Sequence, residues 1–228
     1  AAGLSLGEYS ALHSAGVFDA RTAVALVTKR ANAMAKAAEG VDCAMKAVLG
    51  LDREPLEQCC EKVSVKGSVQ IANYNCPGQI VIAGEKAAVE AAAELAAAEG
   101  AKRCVALPVS GPFHTAFMEP AGLVLKEIFA ETAFGEMQFP VLFNAVGREK
   151  RPDETIGELL VKQVSHSVYF EDSIKAMAKA GVDTILEIGP GKALSGFVKK
   201  TDRGIRTMNI ETFEDLQKVI TELKGGAA

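Results

Sequence analysis

The sequence predicts an α/β fold. Short runs rich in valine and isoleucine alternate along the chain with longer segments whose apolar residues recur at helical spacing. Residues 43–108 show the order strand, helix, strand, strand, helix, strand, which is the order of the ferredoxin-like unit. Strands and helices also alternate on both sides of this segment, which favours a core with a largely parallel sheet.

The composition is that of a packed globular protein. The 228 residues suffice for one large domain or a core with an inserted subdomain, and 49% are hydrophobic against 24% charged. The net charge of -4 gives no reason to expect a nucleic-acid partner. No apolar run reaches membrane-spanning length, and no signal-peptide pattern is present. The five cysteines form no C-x-x-C pair, which favours reduced thiols over disulfides or a zinc site.

Two helices are predicted before the inserted unit. The first covers "LGEYSALHSAG" and ends at Gly16, and the second runs from about Asp19, its N-cap, to Glu39. Within the unit, the turn Cys76-Pro77-Gly78 joins the second and third strands. The unit's strands are expected at "AMKAVLGL", "SVQIANYN", "QIVIAGE" and "KRCVALPVS", and its helices at "DREPLEQCCEKV" and "KAAVEAAAELAAAEG".

After the unit, helices and strands alternate again. The first helix is expected to begin near His114. The glycines of "EIGPGKALSG" lack the P-loop pattern, so a turn that closes a strand is predicted there. Helices are expected in "GPFHTAFMEPAGLVLKEIFAET", "TIGELLVKQVS", "FEDSIKAMAKAG", "KALSGFVKKT" and "TFEDLQKVITELK", and strands in "QFPVLFNAV", "DTILEIGPG" and "GIRTMNI".

Ser5 is the candidate nucleophile. It lies in Gly3-Leu4-Ser5-Leu6-Gly7, a G-x-S-x-G pattern that marks a sharp strand-to-helix turn with an exposed hydroxyl. The backbone N–H of Leu6 then points at a developing oxyanion, and the helix N-terminus adds positive potential. The glycines are expected to allow the tight turn and close packing of the helix. A serine without catalytic function remains the alternative, because this short pattern also arises by chance.

His114 is the candidate base for this serine. His13 lies two helical turns beyond Ser5, too far to reach it, and His166 lies in the polar turn of "QVSHSVYF". His114 is expected at a helix start, where the helix dipole lowers the pKa of an imidazole and keeps it neutral. A capping or core histidine is the alternative for this position.

Arg30 is the candidate anion-binding residue. It lies in an apolar, alanine-rich helix, one turn before Met34. Its guanidinium either extends to solvent along the helix surface or points into a cleft and holds a carboxylate with two hydrogen bonds. The position in the sequence leaves both alternatives open.

Five stretches together resemble the malonyl-CoA:acyl-carrier-protein transacylases of fatty acid synthesis. They are "GLSLGEYSAL", "NYNCPGQIVIAG", "PVSGPFHTAFMEPA", "VKQVS" and "LEIGPGKALSG", in matching order and spacing over almost the whole chain. The resemblance implies an α/β-hydrolase-like parallel-sheet core, formed by residues 1–42 and 109–228, that carries a ferredoxin-like subdomain at 43–108. It also implies an acyl-carrier-protein S-malonyltransferase that acts through a malonyl-serine intermediate.

The same resemblance implies roles for the catalytic residues. Ser5 matches the nucleophile, and His114 matches its base in a dyad without a third acid. Gln163 matches the residue whose backbone carbonyl orients that histidine. Leu6 matches the donor of one oxyanion N–H. Many family members have histidine before the nucleophile, where this sequence has Leu4.

The resemblance also implies the residues that bind the substrate. Arg30 matches the arginine that pairs with the free malonyl carboxylate, and Met34 is expected beside it. Asn75 matches a polar residue of the cleft. Phe113 matches a bulky residue associated with malonyl rather than branched extender units.

The implied substrates are malonyl-CoA and phosphopantetheinylated acyl carrier protein, with no cofactor and no metal. Carrier proteins are acidic, so a basic docking rim is expected. We also expect a cytoplasmic monomer that binds neither nucleic acid nor membrane. The docking candidates are Lys102, Arg103, Lys199 and Lys200, which are otherwise ordinary solvated surface charges.

Family members carry a longer segment before the elbow, with two core strands and a G-Q-G motif that provides a second oxyanion donor. We therefore expect this chain to be an N-terminally truncated transacylase, and a catalytically incompetent fragment is one alternative. Another is a serine hydrolase or thioesterase, although Asp42 and Asp52 lie poorly for a triad. A piece of a polyketide or fatty-acid megasynthase is a third.

Overall fold

The structure is a computed structural model of the chain, and it describes residues 1–64 and 67–225. It is an α/β fold with a mixed sheet, so the predicted fold class is confirmed at that level. The chain divides into two compact units, Ala1–Ser173 and a second unit that begins at Ile174. None of the helices in these residues is long and apolar enough to cross a bilayer.

Most helices of the first unit follow the predicted segments, but the helix expected to begin near His114 begins at Glu119. Asp19 caps the second helix, because its side chain accepts a hydrogen bond from the Thr22 N–H at 2.7 Å. Gly16 follows the first helix with a φ of +84°, a conformation that favours glycine. The helices are α1 (Gly7–Ser14), α2 (Ala20–Ala38), α3 (Arg53–Ser64), α4 (Lys86–Ala98), α5 (Glu119–Ala130), α6 (Ile156–Ser165) and α7 (Phe170–Lys179), the last of which continues into the second unit.

The strands of the first unit form one larger sheet and one short pair. They are β1 (Cys43–Leu49), β2 (Val69–Cys76), β3 (Gln79–Glu85), β4 (Arg103–Ala106), β5 (Leu142–Phe143), β6 (Arg148–Glu149) and β7 (Val168–Tyr169). The larger sheet has the order β4-β1-β3-β2-β7. Its first four strands are antiparallel neighbours, and β7 pairs with β2 in parallel.

The larger sheet buries both faces. Along β3, Ile80 and Ile82 join a cluster with α3 and α4, whereas Val81 and Ala83 join a second cluster that Phe113 contacts. Successive side chains of a strand point to opposite faces, so the continuous apolar run of β3 reflects burial on both sides.

The second unit contains a parallel strand pair. After the end of α7 come β8 (Thr184–Ile188), α8 (Ala193–Thr201), β9 (Arg206–Ile210) and α9 (Phe213–Gly225), and β8 pairs with β9 in parallel. The Glu187 carboxylate accepts hydrogen bonds from the N–H groups of Leu194 and Ser195 at 3.0 and 2.7 Å. The N–H groups in the first turn of α8 are therefore occupied by a carboxylate of the chain itself. This agrees with the prediction that "EIGPGKALSG" is not a phosphate loop.

The strand predicted in "QFPVLFNAV" is shorter than expected and pairs differently. The expected strand "QFPVLFNAV" contains only two paired residues, in β5, which pairs with β6 in antiparallel orientation. Leu142 also forms an isolated parallel bridge with Ala2. Among the described residues, parallel pairing is confined to this bridge, β2–β7 and β8–β9. Val141, Leu142 and Phe143 are buried as the apolar run predicted, whereas Phe139 is exposed. A run of apolar residues does not specify which strand pairs with it.

The core beneath the candidate site is mainly helical. Side chains from α1, α2, α5 and α6 pack into one cluster together with Val141 and Phe143. This cluster fixes α1, α2 and α6 relative to one another, and these helices carry or flank Ser5, Arg30 and Gln163.

Gly3 lies where the backbone before Ser5 meets the start of α1. A Cβ at Gly3 would lie 2.0 Å from the carbonyl carbon and oxygen of Gly7, so no larger residue fits without movement of the backbone. Gly7 differs, because a Cβ there meets no described atom within 4 Å. Only the first glycine of the pattern is therefore needed for close packing, which corrects the expectation for Gly7.

We expect Gly3→Ala to lower the free energy of unfolding by at least about 1–3 kcal/mol, because overpacking displaces backbone rather than a flexible side chain. Gly7→Ala is the matched control and should be neutral or stabilise by up to about 1 kcal/mol, since it replaces glycine inside a helix. Urea unfolding of both variants measures the difference. Equal stabilities of the two variants would contradict the packing argument.

Candidate active site

Ser5 lies at a strained turn. Its φ is +52°, and among the described residues His114, at +63°, is the only other non-glycine residue with a left-handed backbone. Such a conformation costs an L-residue about 1–2 kcal/mol, so it persists only where the surroundings impose it. The two strained residues face each other, with 2.8 Å between Ser5 Oγ and His114 Nε2.

The hydrogen bonds of His114 fix its tautomer. Its Nδ1 lies 2.8 Å from the backbone carbonyl oxygen of Gln163, and a carbonyl only accepts. Nδ1 therefore carries the proton, and Nε2 presents its lone pair to the Ser5 hydroxyl. The group at Nδ1 is a carbonyl rather than a carboxylate, and both Asp42 and Asp52 are exposed, so neither forms a triad here.

The pKa of His114 is lowered to about 4, mainly by burial and to a smaller extent by the positive charge of Arg30, whereas the hydrogen bond to the Gln163 carbonyl opposes the shift. His114 precedes a short 3₁₀ turn, Ala116–Met118, and α5 begins only at Glu119. The expected helix start at His114 is therefore wrong. The imidazole is neutral because it is desolvated rather than because it lies at a helix N-terminus.

Arg30 points into the protein. Its side chain is buried, and Nη2 donates to Ser5 Oγ at 2.8 Å and to Gln163 Oε1 at 3.0 Å. The guanidinium carbon lies 5.7 Å from the centre of the Tyr9 ring. The alternative of a solvent-directed arginine is wrong. The Nε atom is buried and has no hydrogen-bond partner in residues 1–64 and 67–225, so a donor of this cation remains unused.

Three side chains support the turn at Ser5 through hydrogen bonds that the sequence analysis did not predict. The Gln163 Nε2 donates to the Ser5 carbonyl at 2.9 Å, in addition to the predicted role of the Gln163 backbone. Asn144 Oδ1 accepts from the Ser5 N–H at 2.6 Å. Glu8 Oε2 accepts from the Asn144 N–H at 2.8 Å. Two sequence signals could have indicated these residues. Asn144 is a polar residue at the end of a buried strand, and Glu8 is a carboxylate among the buried residues of α1.

Glu8 is a fully buried carboxyl group close to this site. Burial raises its pKa to about 7, against the Asn144 hydrogen bond, the Gln163 amide and the charge of Arg30. Its Oε1 makes no hydrogen bond of ordinary geometry in the described part of the chain. At neutral pH the buried site therefore contains one fixed cation, Arg30, and one partly protonated acid.

The other predicted substrate residues lie in varied surroundings. Leu6 is exposed beside Ser5. Met34 is buried in the helical core, and Phe113 packs against that core and the sheet. Asn75 is buried in β2 with no partner for Oδ1 among the described residues, and no hydrogen bond joins it to Ser5 or His114. Their substrate roles stay predictions.

The predicted docking residues are all exposed. In the first unit, Arg103 begins β4 and Lys102 directly precedes it. In the second unit, Lys199 and Lys200 lie in the last turn of α8. No three histidine, cysteine, aspartate or glutamate side chains within the described ranges are grouped so that they could hold a metal ion.

A serine hydroxyl bonded to a neutral, buried imidazole, beside an inward-facing arginine, defines an enzyme that handles acyl groups through a serine nucleophile. Comparison with known proteins agrees with this class. The acyl transferase domain family matches residues 1–222. A malonyl CoA-acyl carrier protein transacylase of Bacillus subtilis is 45% identical over 224 residues, which cover 98% of this chain and 71% of the relative.

Solved structures give the same result. The malonyl CoA-acyl carrier protein transacylase of Clostridium perfringens superimposes with a TM-score of 0.94 at 43% identity, covering 98% of this chain and 71% of that one. A malonyl-transacylase in complex with a type II PKS acyl-carrier protein gives 0.92 at 39% identity, covering 98% and 72%. The chain therefore belongs to the acyl transferase family and, within it, to the malonyl CoA-acyl carrier protein transacylases. The predicted resemblance is confirmed.

We expect the reaction of Ser5 with phenylmethylsulfonyl fluoride to retain its rate as the pH falls from about 7 to about 5. The pKa of His114 lies near 4, below the ordinary value of 6.5, so Nε2 keeps its lone pair over that interval. The rate should then fall as the pH approaches 4. Stopped-flow measurement of the sulfonylation rate at each pH tests this expectation, and circular dichroism at the same pH values shows whether the protein remains folded.

His166→Gln is the control variant, because His166 is exposed and bonds only its neighbour Ser165 in the described structure. It should leave the pH profile unchanged. A profile of the unmodified enzyme with its midpoint near pH 6.5 would show that His114 titrates normally.

Proposed function

We propose that this chain transfers a malonyl group from coenzyme A to the phosphopantetheine thiol of acyl carrier protein, through a malonyl ester of Ser5. The observation that carries the proposal is the position of Arg30, a buried cation 2.8 Å from the Ser5 hydroxyl oxygen. An acyl group that carries its own carboxylate suits this site, because the carboxylate can pair with the guanidinium while its carbonyl meets the serine.

The residues support a ping-pong reaction. His114 Nε2 takes the Ser5 proton while Oγ attacks the thioester carbonyl carbon. The tetrahedral intermediate collapses with cleavage of the C–S bond, and the imidazolium returns the proton to the leaving coenzyme A thiolate. The carrier-protein thiol then attacks the ester in the reverse sequence, with its proton taken by His114 and passed to Ser5.

The tetrahedral intermediate needs a donor for its oxyanion. We assign the Leu6 N–H to this role, because it follows the nucleophile directly at the start of α1. In the described structure this N–H donates to no other group, so it is available to a ligand.

Substrate binding also changes the base. The charge of Arg30 contributes to the low pKa of His114. A malonyl carboxylate paired with Arg30 would offset that charge, and the imidazole would become a stronger base when the substrate is bound. The arginine then couples recognition of the correct acyl group to activation of the serine.

The acceptor is proposed to be an acidic carrier protein. One structural relative is a malonyl-transacylase solved in complex with an acyl-carrier protein, which supports this assignment. Lys102, Arg103, Lys199 and Lys200 are the proposed docking residues, and their exposure suits contact with acidic side chains. Met34, Asn75 and Phe113 are proposed to shape the acyl cleft.

We also infer the finer fold. The order β4-β1-β3-β2, with α3 and α4 packed on one face, supports a ferredoxin-like subdomain at residues 43–108. Residues 1–42 and 109–228 are proposed to form the α/β-hydrolase-like core around it. The strained serine between a bridged residue, Ala2, and a helix supports that assignment.

We expect Ser5→Ala to abolish formation of the malonyl-enzyme, which intact-mass measurement after incubation with malonyl-CoA would detect. His114→Ala should slow its formation by about 10²–10⁴-fold, the usual contribution of a positioned base. The matched control is Ser10→Ala, an exposed serine of α1, the helix that follows Ser5. Malonylation of the Ser5→Ala protein would disprove the assignment, and release of malonate to water in place of transfer to the carrier thiol would support the hydrolase alternative.

We expect Arg30→Ala to lose malonyl transfer and to keep or gain acetyl transfer, because an acetyl group has no carboxylate to pair. Removal of one partner of a buried charge pair costs about 2–5 kcal/mol. Lys29→Ala, on the exposed side of α2, is the control. Competition between malonyl-CoA and acetyl-CoA measures the change in preference, and equal losses for both acyl groups would mean that Arg30 is structural.

A further inference from the structure

Asn144 uses all four of its hydrogen-bonding groups. Its Oδ1 accepts from the Ser5 N–H at 2.6 Å, and its Nδ2 donates to the Gly3 carbonyl at 2.7 Å. Its backbone N–H donates to Glu8 Oε2 at 2.8 Å, and its backbone carbonyl accepts from the Tyr169 N–H at 2.8 Å. The residue has no exposed surface.

The partners leave one orientation for the Asn144 amide. A backbone N–H only donates and a backbone carbonyl only accepts, so Oδ1 must face Ser5 and Nδ2 must face Gly3. The side chain thereby bonds the residues on both sides of Leu4, as the peptide group of a neighbouring strand would. It acts on the segment that carries the strained nucleophile.

We propose that Asn144 is a positioning residue for the nucleophile, and that its side-chain amide holds the turn so that Ser5 Oγ stays in line with His114 Nε2. This inference rests on the proposed function for the role of Ser5. In the described structure the Asn144 side chain bonds only the backbone of the turn, and it acts through Ser5 rather than on the substrate. Without its amide, Ser5 N–H and Gly3 C=O lose their partners, and the left-handed turn loses a contact that imposes it.

The test compares Asn144→Ala, which removes both side-chain bonds, with Asn144→Asp, which keeps an acceptor for Ser5 but has no donor for Gly3 when ionised. We expect kcat of malonyl transfer to fall about 10–10²-fold in both, the effect of displacing a reacting group by about 1 Å. KM for malonyl-CoA should change by less than about threefold, because the carboxylate site at Arg30 is untouched.

Sulfonylation of Ser5 by phenylmethylsulfonyl fluoride separates this inference from the function on which it rests, since it needs neither malonyl-CoA nor carrier protein. We expect its rate to fall in parallel with kcat. If the unmodified enzyme transfers no malonyl group but the Asn144 variants are still sulfonylated more slowly, the proposed function is overturned and the positioning role is retained. Rates within about twofold of the unmodified enzyme in folded variants would overturn the positioning role.

Asn209→Ala is the matched control, because it removes an asparagine amide that bonds Glu187 and Ser195 in the second unit. It should lower stability without the loss in sulfonylation rate. An equal loss in the control would show that the effect is a general consequence of destabilisation and would overturn the inference.

A measurement on the unmodified protein covers the case in which neither Asn144 variant folds. The Ser5 N–H, although it belongs to a half-buried residue, should be strongly protected from hydrogen exchange by its bond to a buried acceptor. NMR of protein labelled with ¹⁵N-serine measures this amide directly. Exchange at the rate of an unprotected amide would show that the bond does not hold the turn.

Discussion

The geometry of the site depends on one buried residue, Gln163. Its backbone carbonyl accepts from His114, its Nε2 donates to the Ser5 carbonyl, and its Oε1 accepts from Arg30. His114, Ser5 and Arg30 therefore all hydrogen-bond a single residue of α6. That helix packs in the helical core, which fixes its position. Under the proposed mechanism, the dyad needs no third acid, because the Gln163 carbonyl orients the imidazole as a carboxylate would, without adding a negative charge.

The low polarity of the site determines how its charges act. Arg30 and Glu8 are both buried, and neither is paired in a direct salt bridge among the described residues. Desolvation favours the neutral forms of Glu8 and His114, so the guanidinium is the dominant charge beside the serine at neutral pH. Under the proposed function, an anionic acyl group would enter a site that already carries the opposite charge.

The sheet of the first unit contributes to this arrangement from outside the dyad. The pairing of β7 with β2 places Tyr169, whose N–H bonds the Asn144 carbonyl. The Tyr169 ring stacks on Tyr74 with 5.1 Å between centroids, and Arg53 lies over Tyr74 while it bonds Asp172. The segment between α6 and α7 is thus attached to the sheet beside Asn144.

The sequence by itself determined the α/β class and most helix and strand positions, and it singled out Ser5, His114 and Gln163, which the structure brings into contact. Local signals sufficed, because an N-cap such as Asp19, a glycine such as Gly3 and apolar periodicity act over a few residues. It did not decide how the strand around Leu142 pairs, whether Arg30 faces the interior, or why the pKa of His114 is low. It also gave no role to Asn144, 139 residues from Ser5. These properties arise from contacts between distant segments and from the burial they create, and only the tertiary structure brings those segments together.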